Sequence, residues 1–167
     1  MKRVAWAALL AVSIHFVGIN MAFGDDSALA DRIEHGRYLI TVTGCNDCHT
    51  AAYAEREGQV PESQWLQGDS LGWKGPWGTT YAPNLRLSLA RMTEDEWVFF
   101  ARNLRARPPM PSVQLHKMHE EDLRAMYVFV RQLGAPGDPA PVYLPPGQEP
   151  TTPYVLFPSP PGSENPE

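Results

Sequence analysis

The stretch GCNDCHT, residues 44–50, contains Cys45 and Cys48 three residues apart with His49 directly behind the second, and the chain has no other cysteine. This constrains the chain more than any other feature. Bridged to each other, two cysteines at this spacing close a very small loop and stabilise little, so another use for the pair has to be considered first.

The N-terminus bears on which use is open. Lys2 and Arg3 precede a mostly apolar run from Val4 to about Ile19, followed by Ala22-Phe23-Gly24 and then Asp25-Asp26. That order predicts a secretory signal over residues 1–24, removed on export. The alternative is an uncleaved anchor, but the run is short for a membrane span and carries His15 inside it. No other stretch is long and apolar enough to cross a bilayer, which predicts an exported, periplasmic protein in an oxidising compartment. It would meet a membrane only through a partner or the uncleaved signal. Without Lys2 and Arg3, 12 Lys and Arg face 19 Asp and Glu, a mature charge of about −7, which argues against nucleic acid as a ligand.

Leu29, Ile33, Gly36 and Ile40 fall at spacings of 4, 3 and 4, one face of an amphipathic helix that should stop at Gly44, so that the cysteine motif sits at a helix end. From Ala51 to about Pro83 there is no sustained period, and the segment reads as loop wrapped over something apolar. Its Trp65, Trp73, Trp77 and Tyr81 need a surface to bury against. Thr93 and Glu96 form a capping box flanked by Met92 and Trp97 at staple positions, which predicts a helix from about 94 to 105, ended by Pro108-Pro109. Glu120-Glu121-Asp122 and the spacing of Leu123, Met126, Tyr127 and Val130 predict another, closed by Gly134 and Pro136. The Pro-rich residues 135–167 read as an extended or disordered tail, with Tyr143, Tyr154, Val155, Leu156 and Phe157 able to lie along a surface of the domain or of a partner. The folded domain is therefore expected over residues 25–134.

Four uses of Cys45-x-x-Cys48-His49 compete. A thioredoxin-like redox pair needs strand–helix alternation around it, and a zinc site needs two further closely spaced Cys or His ligands. A plain disulfide leaves His49 without a role. Covalent haem uses all three residues: the thiols add across two haem vinyl groups as thioethers, and the adjacent histidine becomes an axial ligand of the iron.

A helix leading into GCNDCHT, a turn-rich stretch with GPWGTTYAPNL, and then PPMPSVQLHKMHEEDLRAMYVFVRQLG resembles a single-haem class I cytochrome c over roughly residues 28–134. It is similar to the cytochrome c domains that serve periplasmic and membrane-bound dehydrogenases. The resemblance implies an all-α fold, with about three main helices and long loops around one haem c. It also implies that the Pro76 carbonyl accepts the Nδ1 hydrogen of His49, and that Trp77, Tyr81 and Asn84 face the haem and its propionates. The other reading of these aromatics is core packing, and of Asn84 a turn residue.

The second axial ligand has several candidates after the motif. Met92 and Met118 stand just ahead of helix starts, where a hydrophobic staple explains them, and Met126 lies on an apolar stripe. His116 and His119 read as loop or cap residues and are the reserve ligands. Met110, between Pro109 and Pro111 in a segment that cannot be helical, is about sixty residues beyond His49. The resemblance places the axial methionine there too, ahead of the last helix.

These readings predict a one-electron carrier, with a dehydrogenase as donor and another cytochrome or a terminal oxidase as acceptor. Arg102, Arg105, Arg107 and Lys117 near the Met110 loop would face an acidic patch on a partner. The alternatives are a dedicated haem subunit of a dehydrogenase complex and a ligand-binding or peroxidase-like haem protein. Gly36 and Tyr127 are expected where the first and last helices cross.

Overall fold

A carbon atom added at Gly36 would lie 2.2 Å from the carbonyl oxygen of Ala125 and 2.8 Å from Cβ of Phe129. The fold is organised about this crossing, where helix α1 (Ala22–Val42) lies directly on the backbone of α6 (Glu120–Gln132). Only a residue without a side chain permits that approach. The computed structural model describes residues 22–158. The expected signal segment lies outside them except for Ala22–Gly24, which belong to α1. No helix among the described residues is long and apolar enough to cross a membrane.

Around this pair stand α2 (Cys45–His49), α3 (Leu85–Ala90), α4 (Glu94–Asn103) and α5 (Ser112–Lys117). Ile40 from α1, Leu66 from the following loop, and Leu123, Phe129 and Val130 from α6 are fully buried together. Burial of each such side chain is worth about 1.5–3 kcal/mol. Leu29, placed on the same α1 face by its spacing, is exposed, while Ile33 is half-buried against the core and the stripe is fully buried from Gly36 onward. Tyr127 departs from the expected helix crossing: its hydroxyl donates to the Met92 carbonyl at 2.8 Å and ties α6 to the turn before α4.

The ends of the two strongest helices follow from their sequences. Thr93 accepts from the Glu96 amide at 3.3 Å while Glu96 accepts from the Thr93 amide at 2.7 Å, the reciprocal capping box. The three acidic residues of the first α6 turn complement its positive end. At the other end Gly134, at φ 75°, turns the chain away.

An all-α fold is only partly what the chain adopts; among the described residues six α-helices combine with one small three-stranded sheet. The segment expected to be irregular contains a hairpin, β1 (Gly72–Gly75) paired antiparallel with β2 (Gly78–Tyr81). Strand β3 (Tyr154–Leu156), from the Pro-rich tail, adds in parallel on the other edge of β1. The tail is extended, as its composition predicts, but it is bound to the rest of the molecule. Leu144 and Thr79 exchange backbone hydrogen bonds of 2.8 and 3.0 Å. Phe157 packs its ring on Trp77 and Trp73, with centroids 5.3 and 6.1 Å apart, and Lys74 pairs with Glu149 at 2.5 Å.

Candidate functional site

Gly44, in the left-handed region at φ 70°, breaks the chain out of α1 and starts the five-residue α2. The cysteine motif is thus a short helix of its own rather than the last turn of the long one. One turn of helix brings Cys45, Cys48 and His49 to the wall of one cavity. The carbonyl of His49 accepts from the Gly68 amide at 2.8 Å. Thr50 donates its hydroxyl to Asn46 and accepts from the Leu66 amide, both at 2.7 Å. These bonds are buried, so α2 is clamped at its C-terminal end.

The cavity has a volume of about 390 Å³, within the range of roughly 300–1,000 Å³ usual for small-molecule and cofactor sites. Its walls are mainly apolar, with Ile40, Leu89, Trp97, Leu115 and Val130 among them. Met92, Met110, Met118 and Met126 all line it. His116 and His119 do not; the His116 ring instead bonds the Leu104 carbonyl through Nε2 at 2.8 Å, and His119 stands exposed ahead of α6. Met110 is half-buried in the α4–α5 loop, with its amide donating to the Arg107 carbonyl at 3.3 Å.

His49 is buried, and its Nδ1 lies 2.8 Å from the carbonyl oxygen of Pro83. A carbonyl can only accept, so Nδ1 carries the hydrogen. Burial pushes the histidine pKa down, against a smaller upward pull from the Pro83 bond, and the ring is held neutral. A neutral ring protonated at Nδ1 has a free lone pair on Nε2, the state a metal-ligating histidine requires. Both thiols are free; burial pushes Cys45 and Cys48 above their ordinary range, with Thr43 Oγ1 3.3 Å from the Cys45 sulfur.

The residues assigned by resemblance divide. Tyr81 lines the cavity. Pro76 does not hold His49: it is exposed at the tip of the β1–β2 hairpin, and Pro83 takes that role. Trp77 faces Phe157 and donates its Nε1 to the Trp73 carbonyl at 3.3 Å, away from the cavity. Asn84 is buried as the N-cap of α3, accepting from the Leu87 amide, and its amide nitrogen donates to the Pro136 carbonyl at 3.0 Å. It anchors the tail and is not part of the cavity wall.

Sequence reasoning missed Pro83, Arg107, Trp73 and Tyr143 as parts of this wall. Pro83 had one signal, its place directly before the N-cap of α3, where a carbonyl is outside the helix and free to accept. Among the described residues no group of three or more His, Cys, Asp or Glu comes together as a cation site. Comparison with known protein families, with curated proteins and with solved structures returns no match for this chain.

Proposed function

We propose that the chain is an exported single-haem c-type cytochrome of the class I fold that carries one electron at a time. The observation that carries this reading is His49, buried and neutral, with Nδ1 committed to Pro83 on the same cavity wall as Cys45 and Cys48. A redox dithiol or a disulfide has no use for a histidine held in that state.

The residues suit haem c in donor set and surroundings. Cys45 and Cys48 would carry the two thioether bonds, each S–H adding across one vinyl group, and His49 and Met110 would be the axial ligands. When bound, the group would supply a one-electron iron couple, its potential raised by having a thioether as well as an imidazole among its ligands. The chain's own part is to orient and to enclose. Pro83 fixes the His49 ring about its Cβ–Cγ bond, and the clamp at Thr50 keeps α2 in register with it. The mainly apolar walls leave few polar groups to reorient when the charge of the site changes by one.

A dehydrogenase as donor and another cytochrome or an oxidase as acceptor fit such a carrier. Arg105, in the α4–α5 loop, and Lys117, at the end of α5, are exposed on either side of Met110, whereas Arg102 is engaged with Glu120 at 3.5 Å. Positive charge there, on an acidic protein, steers an acidic partner with a rate that falls as salt rises.

The test is chemical. The protein exported from cells with cytochrome c maturation machinery is extracted under denaturing, acidic conditions. Colour that stays with the polypeptide, and is lost when Cys45 and Cys48 are both changed to Ser, supports the reading. Colour that leaves with the solvent, or none at all, contradicts it.

A further inference from the structure

Tyr143, in the Pro-rich tail, lies against three parts of the molecule at once. Its hydroxyl donates to the Trp77 carbonyl at the hairpin tip, at 2.7 Å. Its ring lies under the Arg107 guanidinium, 3.8 Å from the centroid. It also lines the cavity, as Arg107 does. Arg107 in turn accepts the Met110 amide on its carbonyl, and the Met110 carbonyl accepts the Ser112 amide at 3.0 Å, so the α4–α5 loop is closed locally around Met110.

The contact is built in rather than incidental. The next tail residue, Leu144, is locked to Thr79 by two backbone bonds, and a carbon added at Gly78 would lie 2.2 Å from the Leu144 oxygen. Thr80 then donates to the Pro108 carbonyl at 2.7 Å, a second tie from the hairpin to the loop. The hairpin is thus the common base on which both the tail and the Met110 loop are fastened.

We propose that Tyr143 is a positioning residue for Met110: through Arg107 it holds the loop against the cavity, and the tail after Gly134 is the strap that delivers it. This rests on the haem reading for its consequence at iron, but not for its consequence at the loop. A stacked cation–ring contact favours the closed loop over its open forms. Loss of that contact leaves the chain folded on its α1–α6 core and frees the loop.

The experiment uses the full exported protein as wild type, Tyr143→Ala, Tyr143→Phe and Arg107→Gln. Imidazole binding to the ferric form reads how readily the Met110 position is vacated, and hydrogen exchange at the Met110 amide reads loop opening directly. Tyr143→Ala and Arg107→Gln should each tighten imidazole binding by about tenfold and speed Met110 exchange by a similar factor. Tyr143→Phe, which keeps the ring under Arg107, should restore most of the wild-type behaviour. Unchanged imidazole affinity and unchanged exchange in Tyr143→Ala and Arg107→Gln would overturn the proposal, as would equal acceleration at amides of the α1–α6 core, which marks general destabilisation. A wild-type protein without covalent haem would instead sink the function above, and the exchange comparison would still decide the role of Tyr143.

Discussion

The Nδ1 atom of His49 and the carbonyl oxygen of Pro83 are 2.8 Å apart across 34 residues of sequence. The bond joins the cysteine helix to the segment leading into α3 and fixes which ring nitrogen is free. A backbone acceptor cannot be deleted by truncating its own side chain, so the partner has to be changed. With haem c bound as proposed, His49→Ala is expected to leave covalent attachment possible through the cysteines while the strong-field spectrum is lost. Optical spectra of the exported variant check this; an unaltered spectrum would mean that His49 is not an axial ligand.

At Gly36 the backbones of α1 and α6 come into direct contact. A methyl group there meets the Ala125 carbonyl at 2.2 Å, and backbone cannot swing aside as a flexible side chain can. Gly36→Ala is expected to cost about 1–3 kcal/mol and Gly36→Val more, read from urea unfolding. A loss below a few tenths of a kcal/mol would show that the helices cross elsewhere.

The capping box makes α4 sensitive to acid. Hydrogen bonds from the Thr93 amide and hydroxyl hold the Glu96 carboxyl below its ordinary range. A carboxylate depressed in the folded state contributes stability that is present above its unfolded pKa and is lost as pH falls through the folded value. Thr93→Ala should therefore cost about 1 kcal/mol at neutral pH, and the gap from wild type should narrow as the solution is acidified below pH 4.5, the ordinary Glu value. Thermal unfolding from pH 7 to pH 3 measures both.

Phe157 seats the end of the tail against two tryptophans. Its replacement by Ala should lower stability by about 1–3 kcal/mol and shift tryptophan emission to the red as Trp73 and Trp77 meet water. An unchanged emission maximum would mean that the tail is not docked in solution.

What could be read from the sequence was what is encoded locally. The α4 start is written into Thr93 and Glu96, α6 into its acidic first turn and apolar spacing, and the cysteine motif into five consecutive residues. The short α3 and α5 went unread because six residues carry too little periodicity and depend on packing for their helicity. The β1–β2 hairpin was missed because GWKGPWGTTY has neither alternating polarity nor a two-residue turn signal. Pro83 was missed for Pro76 because a hydrogen-bond acceptor 34 residues away is a tertiary fact. The tail's composition spoke for an extended chain, which it is, but said nothing of Tyr143 and Phe157 finding Arg107, Trp73 and Trp77.

The most direct measurement on the proposed haem site is a search for the weak near-infrared methionine-to-iron band in the oxidised protein, in wild type and in Met110→Ala, Met92→Ala and Met118→Ala. These three methionines, like Met126, line the cavity with His49, and the comparison chooses among the three that precede a helix. Ligation by His49 and Met110 gives a band in wild type that is lost only in Met110→Ala. A wild-type spectrum without the band, or a band that survives the loss of Met110, would contradict it.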